Sequence, residues 1–412
     1  MSTASSSLEP GPAVVHERTS VADALRGWWK GVRGGDLGSL PIIVGLIIIA
    51  IVFQSQNSNY LTSGNFVNLI VQAAAYMTIG MGVVFVLLLG EIDLSVGFVS
   101  GVAGVMTALL LLDDGNQVGA IPAIVIAVAA GLAIGTLHGL LITKIGIPSF
   151  VVTLAGLLGW QGVVLILIGD RGTVTLQNDV VVGFANDFLA PATSWILLLA
   201  CVGVFAATQI SARMSRSRAG LPTEPDVLIL LRVAGLLVVG AIIVAVANDD
   251  RGIPWVFVVL AVLYLLWTFV LSRTRFGRYV YAVGGNQEAA RRAGINVDRT
   301  KIIVFAICSA MAALGGIILA SRLRSVDTGA GGGQILLYSI AAPVIGGTSL
   351  FGGRGHMKSA ILGALVILSI DNGLGLLGLG SGEKFVITGA VLLLAVTVDS
   401  LSRRRQAQSG RA

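Results

Sequence analysis

Residues 66–112 read FVNLIVQAAAYMTIGMGVVFVLLLGEIDLSVGFVSGVAGVMTALLLL, and Glu91 and Asp93 are the only charged side chains in that stretch. An α-helix crosses the hydrocarbon core of a bilayer in about 17–25 apolar residues. The stretch is long enough for two such helices, one on either side of Gly90-Glu-Ile-Asp-Leu-Ser-Val-Gly97. A charge at mid-bilayer costs about 2.5–3.5 kcal/mol on insertion scales, so such groups usually face a cavity or a partner. Two readings of Glu91 and Asp93 stay open. They mark a short loop between two spans, or they sit in a broken helix that lines or gates a polar path.

The remainder of the chain repeats this pattern. Of 412 residues, 55% are apolar and 12% charged, and the mean hydropathy is +0.90. Soluble proteins carry about a quarter of their residues as Asp, Glu, Lys or Arg, so a soluble enzyme is excluded. Runs of spanning length fall at 40–54, 66–90, 95–112, 119–142, 147–168, 194–210, 227–247, 253–272, 302–321, 359–378 and 385–401. A shorter run at 335–350, rich in small residues, is expected to span or to form a re-entrant half-helix, which is tolerated where protein buries it. The expected fold is all-α and polytopic, with 11–12 transmembrane helices over 40–402. Residues 1–39 are expected to form a disordered cytoplasmic tail, with a surface helix near Trp28 and Trp29, and 403–412 a basic cytoplasmic tail. With twelve crossings and the N-terminus inside, inner segments hold 21 of the 27 Lys and Arg residues and outer segments five. That asymmetry is the positive-inside rule, and it places both termini and the loop 273–301 in the cytoplasm. The basic excess orients the chain and meets anionic lipid; no nucleic-acid partner is needed to explain it.

No catalytic or metal constellation is expected. Cys201 and Cys308 lie inside apolar runs, and His16, His138 and His356 are far apart. Gly373, Gly375 and Gly378 mimic a dinucleotide fingerprint, and Gly352 with Lys358 and Ser359 mimics a phosphate loop. Neither has the strand such motifs follow, and Met357 stands where the second needs glycine. Gly131, Gly135 and Gly139 share one helix face and are expected to let a neighbouring helix approach, with His138 bonding a neighbouring helix. Gly346–Gly353 aligns with 90–97 through both end glycines and the central leucine, with Ser349 opposite Asp93. Both segments are expected to precede a long span. Paired broken elements of this kind mark internally repeated transporters.

The loop 273–301 carries the most specific signal. Asn286 can cap a helix Gln287–Ala293, Glu288 in its first turn suits the helix dipole, and Gly294 is placed to end it. Ala289, Ala290 and Ala293 would then offer a flat face suited to another protein's groove.

At Glu288-Ala-Ala-x-x-x-Gly294 the chain resembles the permease subunits of bacterial ABC importers, whose loop of this pattern forms the coupling helix seated in a cleft of the ATPase. Four motifs narrow the resemblance to the ribose/xylose/galactose type: Gly284-Gly-Asn-Gln-Glu-Ala-Ala-Arg-Arg-Ala-Gly-Ile295, G-x-I-D-L-S-V-G at 90–97, Gly346-Gly-Thr-Ser-Leu-Phe-Gly-Gly-Arg-Gly355, and Tyr60-Leu-Thr-Ser-Gly-Asn-Phe-Val-Asn-Leu69. They run in order from about 60 to 400. Glu91 stands where that family usually has a second glycine, His356 where it often has threonine, and the proline-containing tail of the wider motif is absent after Ile295. The extra length of 211–247 resembles the xylose-type member, which makes xylose the expected cargo.

The resemblance implies an inner-membrane homodimer working with a cytoplasmic ATPase, which uses the ATP and Mg, and with an extracytoplasmic sugar-binding protein. This chain itself would hold no cofactor and catalyse no bond chemistry. By motif position, Asn286, Glu288, Ala289, Ala290, Ala293 and Gly294 would couple to the ATPase. Asp93, Ser95, Gly97, Thr348 and Ser349 would line or gate the sugar path. Two rivals are a branched-chain amino acid ABC permease and a proton-coupled sugar symporter. Such symporters usually place a G-x-x-x-D-R-x-G-R-R loop where this chain has 90–97.

Overall fold

The computed structural model describes residues 38–112, 118–221, 223, 225–391, 393 and 397. The expectations for 1–37, with the helix near Trp28, and for 403–412 lie outside the described residues. The chain divides into two compact units, the smaller holding 192–245 and the larger 38–191 with the residues from 246 onward. In chain order the larger unit contains α1 (Leu40–Gln56), α2 (Ser63–Leu88), α3 (Val96–Leu110), α4 (Ala120–Leu140), α5 (Ser149–Ile168) and α6 (Asp179–Asn186). The smaller is built on α7 (Pro191–Arg218) and α8 (Asp226–Asp249). The larger resumes with α9 (Trp255–Arg273), α10 (Arg275–Gly285), α11 (Gln287–Arg292), α12 (Val297–Leu323), α13 (Gln334–Ile345) and α14 (Met357–Leu376). Residues 381–391 are helical too. β1 (Thr173–Thr175) pairs antiparallel with β2 (Ser325–Asp327), Thr173 opposite Asp327.

Among the described residues, eight helices are long and apolar enough to cross a membrane, namely α2, α4, α5, α7, α8, α9, α12 and α14. Together with the shorter apolar α1, α3 and α13 they make the all-α polytopic fold read from the sequence. α2 and α12 form the centre of the larger unit: 78% of α2's apolar window and 67% of α12's is buried. Both are apolar all round, the pattern of a helix surrounded by protein or lipid. In α8 only 6% of the apolar window is buried within the chain. α4 packs on α12 along its glycines. A methyl at Gly131 would lie 2.8 Å from Ser309 O, one at Gly139 2.6 Å from Ile302 Cα, and one at Gly135 would strike Phe305 O. Asn65 of α2 and Asn372 of α14 exchange side-chain hydrogen bonds of 2.9 and 3.0 Å.

α3 and α13 are half-helices. Their 15 and 12 residues reach about 22 and 18 Å at 1.5 Å per residue, short of the roughly 30 Å hydrocarbon core. α3 is therefore not the long span expected after 90–97. Non-helical backbone precedes each, at 91–95 and 328–333. The second such segment enters beside α3, since a methyl at Gly97 would lie 2.5 Å from Gly331 O and one at Gly101 would strike Ala330 O. The 335–350 segment thus joins the β2 end of the larger unit to the loop 346–356 by a half-helix and the turns before it.

Other boundaries shift. The expected loop 273–301 contains α10 as well as α11, and α12 starts at Val297 instead of 302. Much of the expected basic loop 211–226 is the end of α7, which runs to Arg218. The segment 169–190, between the expected runs 147–168 and 194–210, holds β1 and α6.

Candidate functional site

The local signals around 286–294 produce the helix they encode. The Asn286 side-chain oxygen accepts the Ala289 N–H at 2.9 Å, and Glu288 pairs with Arg291 at 3.3 Å and Arg292 at 3.2 Å on the exposed face. At the other end Gly294 takes a left-handed φ of 81°. Its N–H donates to Arg291 O at 3.0 Å, and the Ile295 N–H to Ala290 O at 3.1 Å. That pair of bonds is the glycine-terminated C-cap. α11 is one residue shorter than expected, ending at Arg292 with Ala293 as its cap. The three-alanine face is also divided. Ala289 and Ala293 are exposed, whereas Ala290 is 5% exposed and belongs to the chain's own core, in the cluster holding Val283 and Val297. Packing of α11 between α10 and α12 decides that orientation.

The end of α10, immediately before α11, meets the loop 346–356 and the end of α2. Gly353 N–H donates to Leu88 O at 2.9 Å, tying the loop 346–356 to the end of α2. Gly284, at the end of α10, lies against the same carbonyl: a methyl there would collide with Leu88 O and come within 2.9 Å of Gly353 N. A methyl at Gly352 would lie 2.6 Å from Gly284 O. Tyr281 Oη donates to Gly355 O at 2.7 Å. Bare backbone from three segments meets here.

Asp93 and Ser95 come together in the buried turn before α3. Asp93 Oδ1 accepts the Ser95 N–H at 2.9 Å and Ser95 Oγ–H at 2.6 Å. Ser95 Oγ lies 3.4 Å from His138 Nδ1, and Trp160 Nε1–H donates to His138 Nε2 at 3.2 Å. An indole nitrogen can only donate, so Nε2 is the acceptor and the imidazole proton sits on Nδ1, facing Ser95. Every hydrogen in the chain Trp160–His138–Ser95–Asp93 points toward the carboxylate. Serine, not histidine, occupies the middle next to the acid, which is not the order of a nucleophilic triad. His138 bonds neighbouring elements, as read from the sequence.

Asp93 Oδ2 is buried and finds no partner among the described residues. Asp93→Asn keeps the Oδ1 acceptor and removes the charge, so insertion should be eased by up to about 2.5–3.5 kcal/mol. We expect normal or raised membrane levels on immunoblots and impaired uptake of labelled sugar. Normal uptake would make the carboxylate a loop residue only.

The aligned segment repeats the local geometry. Ser349 Oγ accepts the Phe351 N–H at 3.1 Å, the same i to i+2 turn that Asp93 makes with Ser95. Thr348 is fully buried, and its hydroxyl has no partner among the described residues. Gly97 packs on Gly331 as described above. The structure therefore brings Asp93 directly to Ser95, and places Thr348 and Ser349 in the second loop. The two loops meet where Gly90 packs against Phe351 O, at 3.3 Å from a methyl built there.

Glu91 has a different surrounding from Asp93. Its carboxylate accepts Ser149 Oγ–H at 2.5 Å and pairs with Lys301 Nζ at 2.5 Å. The sequence reading missed Ser149, Lys301 and Trp160 as partners of these loops. No sequence signal links the pair, because 210 residues separate its members.

Residues 65–396 match the family model described as branched-chain amino acid transport system / permease component. The chain is 37% identical to the xylose transport system permease protein of Escherichia coli K12, covering 92% of this chain and 96% of that one. It is 31% identical to the ribose import permease protein of the same strain, covering 87% and 92%. To that strain's D-allose transport system permease protein it is also 31% identical, covering 86% and 90%. No solved structure matches.

Proposed function

The chain belongs to the branched-chain amino acid transport system / permease component family, and from that premise we propose that it is the membrane permease of an ATP-driven sugar importer that carries a xylose-like pentose. The relatives that cover nearly the whole chain are permeases of xylose, ribose and allose systems. Their names and the apolar helices make it a multi-pass inner-membrane protein of a transport system, acting with an ATPase and a substrate-binding protein. The observation that carries the coupling role is α11, a capped two-turn helix set between α10, which meets the loop 346–356 through Tyr281 and Gly284, and α12, whose Lys301 pairs with Glu91. ATP and Mg would serve the separate ATPase subunit, and this chain would need no cofactor and catalyse no bond chemistry. Two copies would form the pathway, in lipid, with Asp93, Ser95, Gly97, Thr348 and Ser349 lining or gating it. Asn286, Glu288, Ala289, Ala293 and Gly294 would face the ATPase, while Ala290 seats the helix on the permease.

The basic-residue asymmetry supports both termini and α11 in the cytoplasm. In a chain lacking Cys201 and Cys308, Thr328→Cys should react with an impermeant thiol reagent added outside whole cells. Arg299→Cys should react only in inverted vesicles; labelling of Arg299→Cys from outside would contradict this topology. Competition of pentoses and of leucine against labelled xylose separates the sugar permease from its amino acid rival: pentoses should compete and leucine should not.

A further inference from the structure

We propose that the Glu91–Lys301 ion pair is the strut through which the coupling helix holds the Asp93 loop, so that both are positioning residues for transport; this rests on the permease reading above. Glu91 directly follows Gly90, whose φ is 74°, and opens the non-helical segment that leads to Asp93, Ser95 and α3. Its Oε1 lies 2.5 Å from Lys301 Nζ, with the two side chains only 19% and 12% exposed. Its Oε2 accepts from Ser149 at the start of α5. One carboxylate therefore fastens the loop to two helices at once.

The path back to α11 is short and stiff. Gly294 and Ile295 close the helix, and Asn296 caps α12 by accepting the Arg299 N–H at 2.9 Å. Lys301 follows in the first turns of α12. A displacement of α11 therefore reaches Lys301 through capped helix ends and one two-residue link. On the other side of α11, Tyr281 reaches the second loop through Gly355 O. Each arm of the coupling element holds one of the two loops.

The pair differs from the other ion pairs at this end. Lys144–Asp298 has side chains 61% and 42% exposed, and exposed pairs of that kind are screened by water and salt. Glu91 and Lys301 are sheltered, and loss of either leaves the other desolvated without its partner.

The test uses the full chain reconstituted in proteoliposomes with its ATPase and sugar-binding protein. Glu91→Lys and Lys301→Glu should each lower xylose uptake roughly 5- to 30-fold while the ATPase still co-purifies. The double swap, which restores opposite charges, should recover uptake to within about threefold of wild type. A second readout needs no cargo: in a chain lacking Cys201 and Cys308, the thiol-labelling rate of Leu94→Cys should rise in each single variant and return in the swap. Should the charge reversals fail to reach the membrane, Glu91→Gln and Lys301→Met remove the charge at similar size and should show the same loss. Single variants with wild-type uptake and labelling overturn the strut. So does a swap no better than either single variant when all reach the membrane equally. Failure of the wild-type chain to take up xylose overturns the xylose cargo instead, and the labelling comparison still decides the pair.

Discussion

Gly284→Ala is expected to reduce uptake to background and to lower the melting temperature of the detergent-solubilised permease, while Gly285→Ala stays close to wild type. The two positions are neighbours at the end of α10, yet their surroundings are opposite. A methyl at Gly284 collides with Leu88 O and crowds Gly353 N, whereas at Gly285 no described atom lies within 4 Å. The obstacle at 284 is main chain, which cannot rotate away as a side chain could. Overfilling a packed site costs about 1–3 kcal/mol. Separating Gly353 from Leu88 to make room adds the loss of their hydrogen bond, about 0.5–1.5 kcal/mol. The displaced segments are the two loops and the lever between them, so transport should suffer beyond the stability loss. Uptake by Gly284→Ala at the level of Gly285→Ala would show that the junction is not part of the transport machinery.

The second large effect separates two adjacent alanines. Ala289→Phe should leave the amount and melting temperature of the permease unchanged, abolish co-purification of the ATPase, and abolish uptake with it. Ala290→Phe should fail earlier, as reduced folded protein in the membrane, because Ala290 is enclosed by the chain's own core. A phenyl ring there exceeds the cavity by far more than the single methylenes for which overpacking costs about 1–3 kcal/mol. Ala289 is exposed, so its ring meets only a partner. Gel-filtration profiles with affinity capture of the ATPase distinguish the outcomes. Retained ATPase binding and uptake by Ala289→Phe would leave α11 as a surface helix without a coupling role.

These contrasts show where the sequence was legible. α11 could be read because its determinants are local: Asn286 at one end and Gly294 at the other act within four residues. The same is true of the apolar runs, whose lengths mark spans regardless of neighbours. Which way α11 faces could not be read, because packing against Val283 and Val297 turns Ala290 inward, and that depends on where α10 and α12 lie. The half-helix near 335–350 was visible as a short small-residue run. The companion shortening of α3 was hidden, since its apolar sequence continues past Leu110 to Leu112. The turns at 328–333 fall between the apolar runs 302–321 and 335–350. Their place beside Gly97 and Gly101 follows from a tertiary contact between glycines more than 200 residues apart. Lys301 reads in the sequence as one of the inner basic residues, and only the tertiary fold brings it to Glu91. For the site, the repeat of 90–97 at 346–353 rested on three identities. The matching turns at Asp93 and Ser349 give it a physical basis, as short polar side chains each fold the backbone over the same two residues.

The central claim is that an ATPase drives sugar through this chain by way of α11. Xylose uptake into proteoliposomes containing the permease, its ATPase and its sugar-binding protein measures it directly. We expect saturable uptake that requires all three proteins and internal ATP, persists when a protonophore collapses the pH gradient, and disappears with Ala289→Phe. Uptake by the permease alone, driven by a proton gradient and indifferent to the ATPase, would contradict it.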